Sequence, residues 1–377
     1  VTLLTDRLLD LACAIQQIPA PTFYEHARAD FVRGQFVAAG LSDIDMDDLG
    51  NVYGRRPASY PDDSRAVLVT AHTDTVFPAE TPLTLTRAPD RITGPGIGDN
   101  SLGVAGLLGL IWALGDEALP GDLYLAANVG EEGLGDLRGM RRVMERWGEC
   151  VQATIVVEGM ALGHIYHSAI GVRRYRFTTR AEGGHSWLHF GRPSAIHALV
   201  RFATRLTELN VPASPKTTFN IGTIGGGTSI NTIAREAWLD LDLRSAAPVH
   251  LADLAVRVEA IAASFGESGL QMETRVIGNR PAGAIPRGHP LVQLAARSLE
   301  EAGITTYSFE TGSTDANIPL SQGQPCVCVG LAYGGNAHRP DEYLETRDIE
   351  KGLHALVSLV RGALTLDSPP YKLFTSP

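Results

Sequence analysis

Apolar residues in this chain fall into two rhythms. In the first third, helical periodicity over residues 3–17 ends before the turn Pro19-Ala20-Pro21-Thr22, and a second helical stretch over 25–39 is closed by Gly40. Short runs that are apolar almost throughout follow at 66–70, 123–129, 154–157 and 325–331, with an apolar helical stretch at 102–114 between the first two. Strands that stay apolar without alternation are buried on both faces, and helices between them predict a doubly wound, mostly parallel sheet.

Between about 168 and 280 the rhythm changes. Residues 173–181 and 237–243 alternate apolar and polar as half-buried strands do, 217–224 and 271–276 are extended, and 194–209 and 251–265 are helical. The order βαββαβ is ferredoxin-like. The run Gly278-Asn279-Arg280-Pro281-Ala282-Gly283-Ala284-Ile285-Pro286 reads as the return hinge. The expected fold class is α/β, with a discontinuous domain of residues 1–167 and 281–377 and an inserted domain of 168–280.

Composition narrows the partners. Forty-two acidic against 32 basic residues leave a formal charge of -10, which argues against nucleic acid or an anionic membrane and in favour of a small substrate. Cys13, Cys150, Cys326 and Cys328 show no C-x-x-C spacing and read as free thiols. No run is expected to reach the roughly 18 apolar residues that span a bilayer, since the most apolar helix, 104–114, contains two glycines. Near the start Asp6 and Asp10 flank Arg7, unlike the basic start of a signal peptide, so a reducing cytoplasm is the expected setting.

The candidate chemistry sits at strand ends. His72 and Asp74 follow the 66–70 run, Glu131 and Glu132 follow 123–129, Glu158 follows 154–157, and His338 follows 325–331 beyond Gly334-Gly335; Asp99 precedes the apolar helix. Ligands of doubly wound sheets collect at the carboxyl ends of the strands. Two histidines with three carboxylates suit zinc, with cobalt or manganese as substitutes. Five carboxylates in one cleft would repel one another unless cations neutralised them, and two divalent ions with one hydroxide balance three of them.

In order along the chain, His72-Thr73-Asp74-Thr75-Val76, Gly98-Asp99-Asn100, Gly130-Glu131-Glu132-Gly133, Glu158 and His338 resemble the dinuclear zinc hydrolases of the peptidase T, carboxypeptidase G and acetylornithine deacetylase family. The resemblance implies that Asp99 bridges two metals, that His72 and Glu158 complete one site, and that Glu132 and His338 complete the other. It implies a supporting Asp74 that accepts the other ring N–H of His72, a cis Asp99–Asn100 peptide, and Glu131 as general base. The insert would be a lid and dimerisation domain. Its Gly183-Gly184-His185-Ser186 resembles the segment whose histidine enters the partner subunit's site to steady the oxyanion. Asn231 and Arg244 resemble the residues that hold a substrate carboxylate, for which the planar arginine fork is suited. Arg244 could instead pair with Asp240 or Asp242. Gly312-Ser313-Thr314-Asp315 resembles a loop lining the cleft, and Glu342 could support His338.

The function expected is cleavage of an amide next to a free carboxylate in a small peptide or N-acyl amino acid. A deacetylase or desuccinylase of amino-acid biosynthesis has the same chemistry. Glu158 is longer than the aspartate of peptidase T and is more similar to carboxypeptidase G, which counts against an aminotripeptidase. A dinucleotide-binding oxidoreductase is disfavoured because Gly94-Pro95-Gly96-Ile97-Gly98 has the wrong spacing. A non-catalytic metal-binding module would not need Glu131.

Overall fold

The computed structural model describes residues 2–59, 65–265 and 269–366. The chain divides into two compact units, one of Val1–Ala169 with Gly283–Pro377 and one of Ile170–Ala282.

The first unit is built on a nine-stranded mixed sheet. At its centre Ala66–His72 lies between Asp122–Asn128 and Ala153–Glu158, parallel to both, and Cys326–Gly330 adds in parallel beyond the latter. Every residue of Ala66–His72 is buried, as its unbroken apolar run requires. Neighbouring side chains enter opposite layers: Val67 and Val69 join the large core with the helices Thr2–Gln16, Gly103–Leu114 and Ile349–Thr365, while Leu68 packs with Met140 and Trp147 of Arg138–Trp147.

Parallel pairing dominates only the middle of the sheet. Val52–Arg56 joins Asp122–Asn128 antiparallel, Ser42–Met46 joins Val52–Arg56 through the short turn 47–51, and His164–Ala169 meets Cys326–Gly330 antiparallel. Only the first of these flanks includes a local hairpin, Ser42–Met46 with Val52–Arg56, and on the other flank Ser308–Gly312 joins His164–Ala169 in parallel.

The segment Ile97–Leu114 corrects one expectation. It spans 18 residues at mean hydropathy 1.4, long and apolar enough by length and composition to cross a membrane. However, its backbone leaves helical geometry at Asp99 and Asn100 and 83% of it is buried inside the protein, which marks Gly103–Leu114 as a core helix. A four-stranded antiparallel sheet of Gly334–Gly335, Tyr343–Glu345, Arg91–Thr93 and Thr86–Arg87 was not legible in the sequence. Strands of two or three residues carry too little periodicity to be read.

The second unit has strands Gly171–Ala181, Thr217–Gly226, Glu236–Ser245 and Leu270–Arg280, with helices Ala195–Thr207 and Pro248–Ala263. All pairings are antiparallel, and the first and third strands lie at the centre. This is the ferredoxin-like order. Tyr175, Phe177, Phe202, Leu239, Leu241 and Leu243 form its core.

Candidate metal centre

The carboxyl ends of the central strands deliver the polar side chains. His72 and Glu158 are the last residues of their strands, and Glu131-Glu132 follow Asp122–Asn128 after a turn at Gly130 with φ 67°. Asp99 lies in Ile97–Leu102, where the backbone leaves helical geometry and the Asp99–Asn100 peptide is cis. Asn100 ties this segment to Glu158 from both sides. Its Nδ2 donates to the carbonyl of Val157 at 2.8 Å, and its Oδ1 accepts the N–H of Gly159 at 2.9 Å. A Cβ at Gly103 would stand 2.0 Å from Asn100 Oδ1, so that position takes glycine.

His338 occupies the loop between Gly334–Gly335 and Tyr343–Glu345 with φ 66°, a left-handed conformation that costs on the order of 1–3 kcal/mol and is tolerated where a side chain must be aimed. Pairing of Tyr343–Glu345 with Arg91–Thr93 fixes that loop beside the segment leading to Asp99. Glu342 completes the link. Fully buried, its Oε1 accepts the N–H groups of Gly98 and Asp99 at 2.8 and 2.9 Å, so it supports the Asp99 backbone.

Three overlapping groups could each hold a cation: His72, Asp99 and Glu158; His72, Glu131 and Glu132; Asp99, Glu132 and His338. Asp99 is common to two. Its Oδ1 lies 3.1 Å from His72 Nε2 and its Oδ2 3.1 Å from His338 Nε2. Glu158 Oε2 is 3.5 Å from His72 Nε2, and Glu132 Oε1 is 3.2 Å from His338 Nε2. Ligand atoms about 2.1 Å from a tetrahedral zinc stand about 3.4 Å apart, so the donor set fits such an ion on each side of Asp99.

Electrostatics match a site built for cations. Burial pushes Glu158 up to about 7 against the pull of His72, with Asp99 and Asp315 adding repulsion. Bonds to Asp99 and Glu132 raise His338 to about 10. Burial alone would depress His72, but Glu158, Asp74 and Asp99 outweigh it and hold the imidazole well above its ordinary value.

Asp74 keeps its carboxylate beside His72 and takes further partners. Its Oδ1 accepts the N–H of Glu131 and its Oδ2 that of Glu132, both at 2.9 Å, and Oδ2 also accepts the Thr22 hydroxyl at 2.8 Å. The nearer partner of His72 Nδ1 is the backbone carbonyl of Asp74 at 3.1 Å, with the carboxylate at 3.5 Å. Two backbone donors draw the carboxylate towards the glutamates, so Asp74 ties His72 to Glu131 and Glu132 together.

Gly312 ends Ser308–Gly312, with Ser313 next. The same loop carries Asp315, fully buried, whose Oδ2 accepts Asn128 Nδ2 at 2.7 Å.

In the second unit, Gly184–His185 pairs with Thr232–Ile233, and the N–H of Ser186 donates to the carbonyl of Asn231 at 3.0 Å, so His185 and Asn231 come together. His185 Nδ1 accepts the N–H of Trp187 at 3.2 Å. That bond leaves the ring proton on Nε2. Arg244 lies elsewhere. Ala237 pairs with Gly226 at one end of Glu236–Ser245, while Arg244 pairs with Thr218 near the other. Seven residues at about 3.3 Å each separate these ends by roughly 23 Å. Arg244 Nε donates to Asp242 at 2.7 Å, and Arg174 Nε reaches the same carboxylate at 2.9 Å.

Comparison with known proteins gives this arrangement a family context. The sequence profile of Peptidase family M20/M25/M40 matches residues 68–362. An acetylornithine deacetylase of Klebsiella pneumoniae is 26% identical over 319 residues, 78% of this chain and 79% of that protein. The aminopeptidase PepT of Bacillus cereus shares the fold at TM-score 0.75 and 21% identity, covering 95% of this chain and 98% of its own. The YXEP protein of Bacillus subtilis, a dinuclear metal-binding peptidase of family M20, superposes at TM-score 0.66 and 17% identity, covering 97% and 99%.

Proposed function

We propose that this chain, which belongs to peptidase family M20/M25/M40, hydrolyses an amide bond in a small peptide or N-acyl amino acid that carries a free carboxylate. The observation that carries this reading is Asp99, whose two oxygens face two different histidines at 3.1 Å each. His72 and Glu158 would hold one divalent ion beside Asp99, and Glu132 and His338 the other. The ions best suited to these donors are Zn2+, with Co2+ or Mn2+ able to replace them. When bound, such ions lower the proton affinity of water and polarise the scissile carbonyl.

The remaining steps belong to the protein. Glu131, nearly buried and held at its backbone by Asp74, takes the proton of the attacking water and passes it to the leaving amine nitrogen. His185 donates its Nε2 proton as a hydrogen bond to the carbonyl oxygen while charge develops there. Arg244 grips the substrate carboxylate through its terminal nitrogens while Asp242 holds Nε, and Asn231, Gly312 and Ser313 line the bound substrate.

A small substrate cannot reach both ends of one second unit, so His185 with Asn231 and Arg244 would come from two copies. The active form in this reading is a homodimer. The edge strand Thr217–Gly226, with Ile224 exposed, and the exposed Ile196 and Val200 of Ala195–Thr207 offer a surface for isologous pairing. Four free cysteines suit a reducing, cytoplasmic setting.

The test is a panel of dipeptides, tripeptides and N-acyl amino acids, including acetyl and succinyl forms, assayed with the metal-loaded protein. Hydrolysis of carboxylate-bearing members is expected. Metal binding with no hydrolysis anywhere in the panel would instead indicate a non-catalytic module.

A further inference from the structure

Arg28 is buried at 2% exposure, within the helix His26–Ala38. A buried guanidinium needs both hydrogen-bond acceptors and a compensating charge. Its acceptors are backbone carbonyls. Nε and Nη2 donate to Ile18 at 3.0 and 2.6 Å, and Nη1 donates to Thr73 at 2.8 Å. Thr73 stands between His72 and Asp74. The segment Arg28 grips on its other side also runs along this loop: the N–H of Thr75 donates to the carbonyl of Ala20 at 2.9 Å, and the Thr22 hydroxyl reaches Asp74 at 2.8 Å.

The compensating charge is Asp74. Burial pulls Arg28 down to about 10, and the Asp74 carboxylate opposes that fall, so the guanidinium keeps its charge at neutral pH. Asp74 is fully buried as well. Its carboxylate accepts the N–H groups of Glu131 and Glu132, so the loop that Arg28 grips at Thr73 also carries the acceptor that holds both glutamate backbones.

We propose that Arg28 is a positioning residue of the metal centre: it fixes the Thr73 carbonyl and balances the charge of Asp74, and thereby sets His72, Glu131 and Glu132 for metal binding. This rests on the reading of His72 and Glu132 as ligands. Arg28 touches neither metal ligands nor substrate, so its effect reaches the ions through the 72–75 loop and Asp74. Outer residues of this kind alter metal affinity about 10- to 100-fold.

The experiment is a double-mutant cycle on Zn2+ affinity, read by competition with a chromophoric chelator and alongside far-UV circular dichroism. Arg28→Gln should weaken binding about 10- to 100-fold, while in an Asp74→Asn background the same change should cost less than about threefold. If Arg28→Gln fails to fold because Asp74 is left uncompensated, Arg28→Gln/Asp74→Asn should recover the native spectrum, which supports the proposal equally. Wild-type affinity in Arg28→Gln, an equal loss in both backgrounds, or a double variant that also fails to fold would overturn it and leave Arg28 as a staple of the fold. Absence of Zn2+ binding by the parent protein would instead sink the metal-centre reading itself, so the two failures are distinguishable.

Discussion

The Oδ1 of Asp74 accepts the backbone N–H of Glu131 at 2.9 Å, and its Oδ2 accepts that of Glu132 at the same distance. One carboxylate therefore pins both peptides. Changing either glutamate side chain leaves its backbone in place, so the two roles can be separated. Glu131→Gln should keep both metals and lose on the order of 100- to 10,000-fold in kcat. Glu132→Gln should lose metal, because Glu132 Oε1 lies 3.2 Å from His338 Nε2 on one side of Asp99. Metal content by elemental analysis beside kcat checks this. Equal metal loss in both variants would reverse the assignment.

Metal affinity should rise with pH. Bonds to Asp99 and Glu132 hold His338 up to about 10, and Glu158, Asp74 and Asp99 hold His72 well above its ordinary value despite burial. His338 is therefore protonated at neutral pH before an ion enters, His72 is shifted in the same direction, and an ion binds only the unprotonated nitrogen. Each displaced proton raises affinity by up to about tenfold per pH unit below its pKa. Chelator competition between about pH 6 and pH 8 measures this. An affinity unchanged across that range would contradict the protonation pattern.

Legibility of the site followed burial. His72, Glu131, Glu132 and Glu158 could be found because each follows an apolar strand, and the positions of such strands in a doubly wound sheet are known. The central strands were legible for the same reason, whereas Ser42–Met46 and Val52–Arg56 were not, since they carry charged residues and mark an antiparallel flank. Arg28 gave no signal: an arginine in a helical stretch ordinarily faces water, whereas this one is buried with its guanidinium on the carbonyls of Ile18 and Thr73. Asn100 was visible only as the neighbour of Asp99, because its contacts with Val157 and Gly159 join segments 57 and 59 residues apart. The Asp74 carboxylate was read as a partner of His72, and its stronger attachment to the Glu131 and Glu132 backbone depends on a turn whose geometry the sequence does not specify.

In the proposed reading, Arg244 carries the preference for a free carboxylate. Its Nε is engaged by Asp242, so in this reading the two terminal nitrogens would present the fork to a substrate. Arg244→Lys should raise KM for carboxylate-bearing substrates by about 10-fold or more with a smaller change in kcat, because one ammonium cannot reproduce two parallel bonds. Amidated analogues should be poor substrates of the parent protein already. Steady-state kinetics on matched pairs decides it, and equal turnover of acid and amide would remove the carboxylate role.

Completion of the site by a second copy predicts complementation. His185→Ala and Glu131→Ala homodimers should each be nearly inactive. Random reassortment makes half the dimers mixed, and each mixed dimer keeps one intact site of two, so about a quarter of wild-type activity should return. Co-expression with differently tagged variants allows the mixed dimers to be isolated, and these should show about half of wild-type activity. Mixed dimers no more active than either parent would confine His185 to its own subunit.

The central claim is a two-ion site that shares Asp99, and a titration tests it most directly. Protein stripped with chelator is reconstituted with Zn2+, and hydrolysis of a carboxylate-bearing substrate from the panel is followed against equivalents added. Activity absent from the stripped protein and rising to a plateau at about two ions per chain is the predicted result. Full activity without metal, or a plateau reached at one ion per chain, would contradict the account.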